Sequence, residues 1–238
     1  MSRLSNTWLA NTWLADHWLG ELFAEYGGDI GQSLAETGYM LVVSLAAAVL
    51  IGLPLGMTVF LTQRGGLAEN RPLWTVANLY INIVRSFPFL VLVVFLIPFT
   101  RAVMGTSFGT QAATLPLCFV AVAIYGRLVE QIMREIPAGI SKVAQSMGAT
   151  LPQAVFRVLL PEARSGLVYA LTSASISLLS YSTVLGVVGG GGIGDFAMRY
   201  GYQEYNDQLM YITIIIIIVC VLAMQAVGYR TSQRLDHR

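Results

Sequence analysis

Hydrophobic residues gather into long runs along the chain, and charged residues seldom interrupt them. A helix needs about 20 apolar residues to cross about 30 Å of hydrocarbon. Four windows without a charge reach that length, at residues 37–63, 102–126, 165–194 and 208–229. A fifth stretch, between Arg71 and Arg101, is apolar apart from Arg85. The pattern predicts an all-α integral membrane protein with five transmembrane helices.

The fifth stretch carries two residues that disturb a membrane helix. An arginine at the centre of a span costs about 2.5 to 3.5 kcal/mol on insertion scales, which the apolar run at 89–99 can offset. Pro88 removes a helix hydrogen bond and therefore predicts a kink. A simple bend in a packed helix and a gating hinge are both compatible with that kink.

The distribution of basic residues predicts the orientation, because cytoplasmic loops carry an excess of lysine and arginine. If the N-terminus lies outside, the outer segments contain only Arg3, Arg101 and Arg199. The cytoplasmic segments then contain Arg64, Arg71, Arg127, Arg134, Lys142, Arg157, Arg164, Arg230, Arg234 and Arg238. Five spans place the C-terminus in the cytoplasm. Arg127, Glu130 and Arg134 are spaced for ion pairs along one helix face.

Three regions follow from this topology. Residues 1–36 form a polar arm with Trp8, Trp13 and Trp18, either an extracytoplasmic segment anchored at the interface or a tolerated duplication of the sequence Asn-Thr-Trp-Leu-Ala. Residues 37–230 form the transmembrane domain, with a long cytoplasmic loop at about 137–164. Residues 231–238 form a cytoplasmic tail.

Composition excludes several classes of protein. Hydrophobic residues make up 55% of the 238 residues and charged residues 11%, whereas a soluble domain carries about a quarter charged residues. The net charge of +1 and the dispersed basic residues do not favour nucleic-acid binding. Cys118 and Cys220 lack CxxC spacing, and no metal-ligand motif is present. The single lysine, Lys142, is not in a Walker A sequence, so the chain is predicted not to be an enzyme.

The long loop between the third and fourth spans has a helical periodicity of its own. Ile140, Val143, Ala144 and Met147 recur at steps of three and four residues, and Gly148 is typical of a helix C-terminus. A second segment begins at 151–152 and reaches 159–161. The pattern predicts a helix–turn–helix elbow, whose apolar residues could dock in the groove of a partner or belong to an ordinary inter-span loop.

The elbow resembles the signature loop of permeases from binding-protein-dependent ABC importers. That family has Glu-Ala-Ala, a glycine four positions after the second alanine, and Ile-x-Leu-Pro after nine intervening residues, which match 142–144, Gly148 and 158–161 here. Lys142 and Val143 depart from the usual Glu and Ala. The resemblance implies that the elbow docks on a cytoplasmic ATPase subunit through Lys142, Val143, Ala144, Met147, Gly148, Ala149, Leu160 and Pro161.

Other segments are similar to the methionine importer permeases within that family. These are Tyr181-Ser182 and the glycine tract at 189–195 with the segment 197–202 that follows it. Arg-Ser-Phe-Pro at 85–88 resembles a segment of the importer permeases in general, and the resemblance covers about residues 30 to 232. It implies an inner-membrane type I importer fold and a homodimer with two ATPase subunits, which hold ATP and Mg²⁺. It also implies an extracytoplasmic binding protein that delivers methionine, as the D- or L-isomer, or a related amino acid. No cofactor is expected on this chain.

Residues along the translocation path are expected in the fourth span and near Pro88. Hydroxyl side chains are frequent in the fourth span, and they either line an aqueous route or bond between helices. Tyr181, Ser182, Ser180, Arg85 and Pro88 are the candidates. A secondary carrier and a membrane-anchored scaffold are the rival functions, although a carrier usually has an inverted repeat and mid-span carboxylates, which this sequence lacks.

Overall fold

A computed structural model describes residues 5–137, 139–140, 143 and 146–236, with only the backbone for residues 5–21 and Phe23. These residues form helices and no strand. The helices are α1 (Ser5–Ala47), α2 (Leu53–Thr62), α3 (Arg71–Ser86), α4 (Phe89–Met104), α5 (Thr110–Glu135), α6 (Leu151–Gln153), α7 (Leu160–Val187), α8 (Gly192–Phe196) and α9 (Asp207–Leu235). Turns of π-helix at Ala48–Gly52 and Ala154–Leu159 join α1 to α2 and α6 to α7, and a third follows α8.

Four helical stretches in the described residues are long and apolar enough to cross a membrane. They run from Ala24 to Thr62, from Thr110 to Glu135, from Leu151 to Val187 and from Asp207 to Leu235. The pair of α3 and α4 is also apolar enough, and it raises the number to five if it forms one span. The predicted all-α membrane fold is confirmed.

Two predicted windows had the wrong limits, because the absence of charge does not define where a helix ends. The window at 102–126 contains a break, since Gly105 ends α4 with a left-handed φ of 76° and α5 begins only at Thr110. The window at 165–194 ends early, because α7 stops at Val187 and the glycine tract forms turns before α8. Glycine, which adopts positive φ without strain, determined both limits.

The predicted kink at Pro88 is a full break in the helix. The directions of α3 and α4 differ by 113°, and Phe87 and Pro88 between them are extended. A proline disfavours the helical conformation in the residue before it, so Phe87 leaves the helix as well. Pro88 therefore separates two helices and becomes the residue that precedes α4.

Helix α5 lies at the centre of the molecule and α9 at its edge. In the most apolar window of each helix, 67% of the residues of α5 are buried but only 6% of those of α9. The exposed side chains of α9 include Ile214, Ile215, Ile218 and Leu222, a surface suited to lipid. Close approach of backbones fixes α2 on α5, since a Cβ atom on Gly56 would collide with the carbonyl oxygen of Gly126.

The helices define two ends of the molecule. The elbow end contains residues 63–70, 136–137 and 146–151, and the glycine-tract end contains residues 105–109 and 188–206. Helix α1 passes position 36 without a break, and from Leu22 onward it packs against α8 and α9 through Ile30, Phe196 and Leu209. The side chains of Trp8, Trp13 and Trp18 lie outside the described residues.

Candidate functional site

A cavity of about 280 Å³ opens at the break between α3 and α4. It lies halfway along the bundle, because Val120 and Ile124 line it from the middle of α5. The other lining residues are Val84, Arg85, Phe87, Phe89, Arg127, Leu128, Ser177 and Tyr181. The structure thus brings together Arg85 and Tyr181, which were predicted separately and are 96 positions apart in the sequence.

Aromatic rings and a cation give the cavity its chemical character. The rings of Phe89 and Tyr181 are in contact, with their centroids 4.5 Å apart. Arg85, in the last turn of α3, makes no ion pair or hydrogen bond with any described residue. The extended conformation at Phe87 and Pro88 ends α3 at this level and turns α4 away, so that the arginine side chain lies at the rim of the cavity. The arrangement suits binding rather than covalent chemistry.

Arg127, in contrast, is held by several partners. Its Nη1 atom lies 2.5 Å from Glu130 Oε2, and its Nη2 atom donates to the side-chain oxygens of Asn78, at 3.0 Å, and Asn82. Glu130 also pairs with Arg134 at 2.6 Å. The predicted ion pairs are confirmed, but Glu130 is only 2% exposed, so the cluster is a buried connection between α3 and α5 rather than a solvated face. The two asparagines were missed, although their four-residue spacing places them on one side of α3.

Replacing Glu130 with alanine is expected to lower the free energy of unfolding by about 3 to 5 kcal/mol, because Arg127 would remain charged without a counterion in a largely buried position. Thermal unfolding in detergent measures the effect. Glu135→Ala is the matched control, since Glu135 lies on the same helix but is exposed. Equal unfolding midpoints for the two variants would contradict a structural role for the ion cluster.

Most hydroxyl groups of α7 neither bond between helices nor line the cavity. They donate to carbonyl oxygens of their own helix, as serine and threonine often do inside helices. The exceptions are Ser177, which also lines the cavity, and Ser165, which bonds across to α9. Ser180 donates to Ile176, and Ser182, which is buried, donates to Leu179. Neither lines the cavity. The same pattern applies to Thr172, Ser175, Ser177 and Thr183.

The elbow exposes apolar side chains on the surface. Met147 is 80% exposed and Val143 58% exposed, and with Ile140 and Val158 they line an open apolar cavity of about 380 Å³. The Met147 amide donates to the Val143 carbonyl at 3.0 Å, as in a helix. Gly148 follows with a φ of 70°, which confirms the predicted helix end. Lys142 and Ala144 lie outside the described residues.

The second arm of the elbow is tied to the end of the chain. Thr150 and Gln153 form a capping box that starts α6, and Leu160 and Pro161, which are half-buried and exposed, begin α7. Further along α7, two contacts join this helix to the end of α9. The Arg164 side chain donates to the Leu235 carbonyl oxygen at 3.1 Å. Ser165 and Ser232 each donate to the other's carbonyl oxygen at 3.0 Å. These contacts join segments about 70 positions apart and had no signal in the sequence.

At the glycine-tract end, α1 holds the turn before α8. The backbone amide of Gly192 donates to Glu36 Oε2 at 2.7 Å, and that of Ile193 donates to Thr37 Oγ1 at 2.8 Å. Tyr200 donates to Asp29 at 3.1 Å, and this hydrogen bond raises the pKa of Tyr200 above its ordinary value. Polar residues just before and at the start of the first predicted span therefore complete the fold of the glycine tract.

Known proteins match this chain over most of its length. Residues 48–237 match the family described as the binding-protein-dependent transport system inner membrane component. The probable D-methionine transport system permease protein MetI of Vibrio cholerae is 42% identical over 203 residues, which cover 85% of this chain and 90% of that relative. The methionine import system permease protein MetP of Bacillus subtilis is 36% identical, over 75% of this chain and 81% of that protein. An inward-facing crystal form of the MetNI methionine ABC transporter matches with a TM-score of 0.85 and 39% identity, over 87% of this chain and 96% of that chain.

Proposed function

The chain belongs to the family of binding-protein-dependent transport system inner membrane components, and on this premise we propose that it is the permease subunit of an ATP-driven methionine importer. The observation that carries the proposal is the sequence identity to D-methionine permeases, which extends along most of both chains. The match to the MetNI methionine ABC transporter supports it with an independent comparison of structure. The chain is thus a multi-pass protein of the inner membrane, and in this proposal ATP hydrolysis takes place on a separate subunit.

The proposed complex contains two copies of this permease, two cytoplasmic ATPase subunits that hold ATP and Mg²⁺, and an extracytoplasmic binding protein that delivers methionine. In this proposal the glycine-tract end faces outward and the elbow end faces the cytoplasm, surrounded by membrane lipid. The basic residues support the orientation, since Arg64, Arg134 and Arg157 lie towards the elbow end.

The elbow is proposed as the dock for the ATPase subunit. Its support is the exposure of Met147 and Val143, large apolar side chains that a partner's groove would cover. We propose that the docking surface also includes Lys142, Ala144, Gly148, Ala149, Leu160 and Pro161. Movement of the ATPase subunits would then shift the elbow and turn the path between inward-open and outward-open states.

The path is proposed to pass the cavity at the break between α3 and α4. Arg85 and Tyr181 line that cavity, and Pro88 fixes the break, so these three remain the candidates for the path. Ser180 and Ser182 are weaker candidates, because their hydroxyl groups already bond to the helix backbone.

Uptake of radiolabelled methionine into proteoliposomes tests this function. The permease is reconstituted with the co-purified ATPase and the binding protein, and D- and L-methionine are compared with other amino acids. We expect accumulation that requires ATP and binding protein and that excess unlabelled methionine abolishes. An ATPase variant without its Walker lysine is the control. Uptake driven by an ion gradient without ATP would replace the proposal by a secondary carrier, and ATP-driven uptake of another solute alone would refute methionine as substrate.

A further inference from the structure

Arg85 is a charged group in an unusual position. The cavity that it lines lies at the level of Val120 and Ile124, about 15 to 20 Å from either end of α5 at 1.5 Å per residue. A cation at this depth is costly, and such residues normally pair with another group or serve a transported ligand. Arg85 is exposed, and it makes no ion pair or hydrogen bond with a described residue.

A second arginine of this cavity, Arg127, has a structural role. Arg127 also lines the cavity, but its guanidinium is bound to Glu130, Asn78 and Asn82. Arg127 therefore holds α3 against α5, and its charge is compensated. The charge of Arg85 remains available to a ligand, at the rim of the same cavity.

The rest of the cavity wall is suited to a small amphipathic molecule. Val84, Leu128 and the paired rings of Phe89 and Tyr181 contribute apolar surface to the same cavity. Ligand sites combine such a surface with a few polar groups that fix orientation, and those for drug-sized ligands have volumes of about 300 to 1,000 Å³. A cavity of about 280 Å³ suits a smaller ligand.

We propose that Arg85 binds the α-carboxylate of the transported amino acid, while Phe89, Tyr181 and Leu128 contact its apolar side chain. The geometry of guanidinium and carboxylate allows two parallel hydrogen bonds, which give direction as well as affinity. This inference rests on the proposed function and adds a binding site within the membrane path. It predicts that the permease itself, and not only its binding protein, selects for a free carboxylate.

The test is binding of radiolabelled methionine to the permease–ATPase complex in lipid nanodiscs, without binding protein. Unlabelled methionine and methioninamide, in which a neutral amide replaces the carboxylate, serve as competitors. A hydrogen-bonded charge pair of this kind can raise the affinity for the carboxylate ligand about tenfold or more above that for the amide. We expect methionine to compete at least about tenfold better than methioninamide for the wild type. Arg85→Gln should lose both affinity and this discrimination, and Arg85→Lys should retain part of each because it keeps the charge.

Arg101→Gln is the matched control, since it removes an exposed arginine at the end of α4, outside the cavity. Its binding and discrimination should equal those of the wild type. Absence of methionine binding by the wild type, or equal discrimination in wild type and Arg85→Gln, would overturn the inference. ATP-driven methionine uptake by the wild type, measured separately in proteoliposomes, would leave the proposed function intact in that case. A wild type without any methionine uptake would refute the function and the inference together.

Discussion

Replacing Met147 with aspartate is expected to abolish retention of the ATPase subunit by the permease. Met147 is the most exposed residue of the apolar elbow surface, and it borders an apolar cavity with Val143 and Ile140. If an ATPase groove covers this surface, the variant must bury an unpaired carboxylate, which costs several kcal/mol. A penalty of about 3 kcal/mol weakens binding about a hundredfold.

Co-purification of the ATPase with tagged permease, followed by measurement of ATP hydrolysis in lipid, checks this prediction. Met147→Leu preserves size and apolar character and should retain the partner. Met104→Asp is the matched control, because it places the same charge at an exposed methionine at the opposite end of the molecule. Retention of the ATPase by Met147→Asp at the level of Met104→Asp would show that the elbow is not the dock.

Met147 is a better probe of this surface than Gly148. A tryptophan at Gly148 would also disturb docking, and a Cβ atom there meets no neighbour within 4 Å. However, the φ of Gly148 is 70°, in the left-handed region, where a residue with a side chain is destabilised by about 1 to 2 kcal/mol. Loss of the partner in that variant could then reflect a changed elbow backbone. Met147 carries no such backbone strain, so its variant reports on the surface alone.

Local features of this fold could be predicted from the sequence. Long apolar runs predicted the membrane spans. The i,i+3 and i,i+4 spacing around Glu130 predicted its two ion pairs. Gly148 ended a helix as expected because positive φ is a property of the residue itself. Each of these depends on interactions within about one helix turn, which sequence spacing describes directly.

Features that depend on distant parts of the chain could not be predicted. The carboxylate of Glu36 accepts a hydrogen bond from Gly192, 156 positions away. The cavity brings the end of α3 together with the C-terminal half of α7. At Pro88 the sequence indicated a disturbance of the helix but not the angle of 113° between α3 and α4. Ser182 illustrates a further limit, because a hydroxyl in an apolar helix can satisfy its hydrogen bond locally and need not mark a path.

The glycine tract at 189–195 includes positions where space, and not backbone conformation, requires glycine. A Cβ atom on Gly194 would collide with the carbonyl oxygen and Cα atom of Thr183, and one on Gly186 would collide with the backbone of Gly194 and Asp195. Helix α8 thus lies directly on the last turns of α7. Because the opposing atoms are backbone atoms, a rotamer change cannot relieve the overlap.

Replacing Gly194 with alanine is therefore expected to lower the free energy of unfolding by about 3 kcal/mol or more, at the upper end of the range for overpacked cores. The midpoint of thermal unfolding in detergent and the yield of monodisperse protein measure this loss. Gly38→Ala is the matched control, since a Cβ atom at that helical glycine meets nothing within 4 Å and should stabilise the helix by up to about 1 kcal/mol. The two variants differ only in whether a backbone lies in the way of the added methyl group. Opposite shifts would establish that this glycine is required for α8 to pack on α7, whereas equal midpoints would contradict that contact.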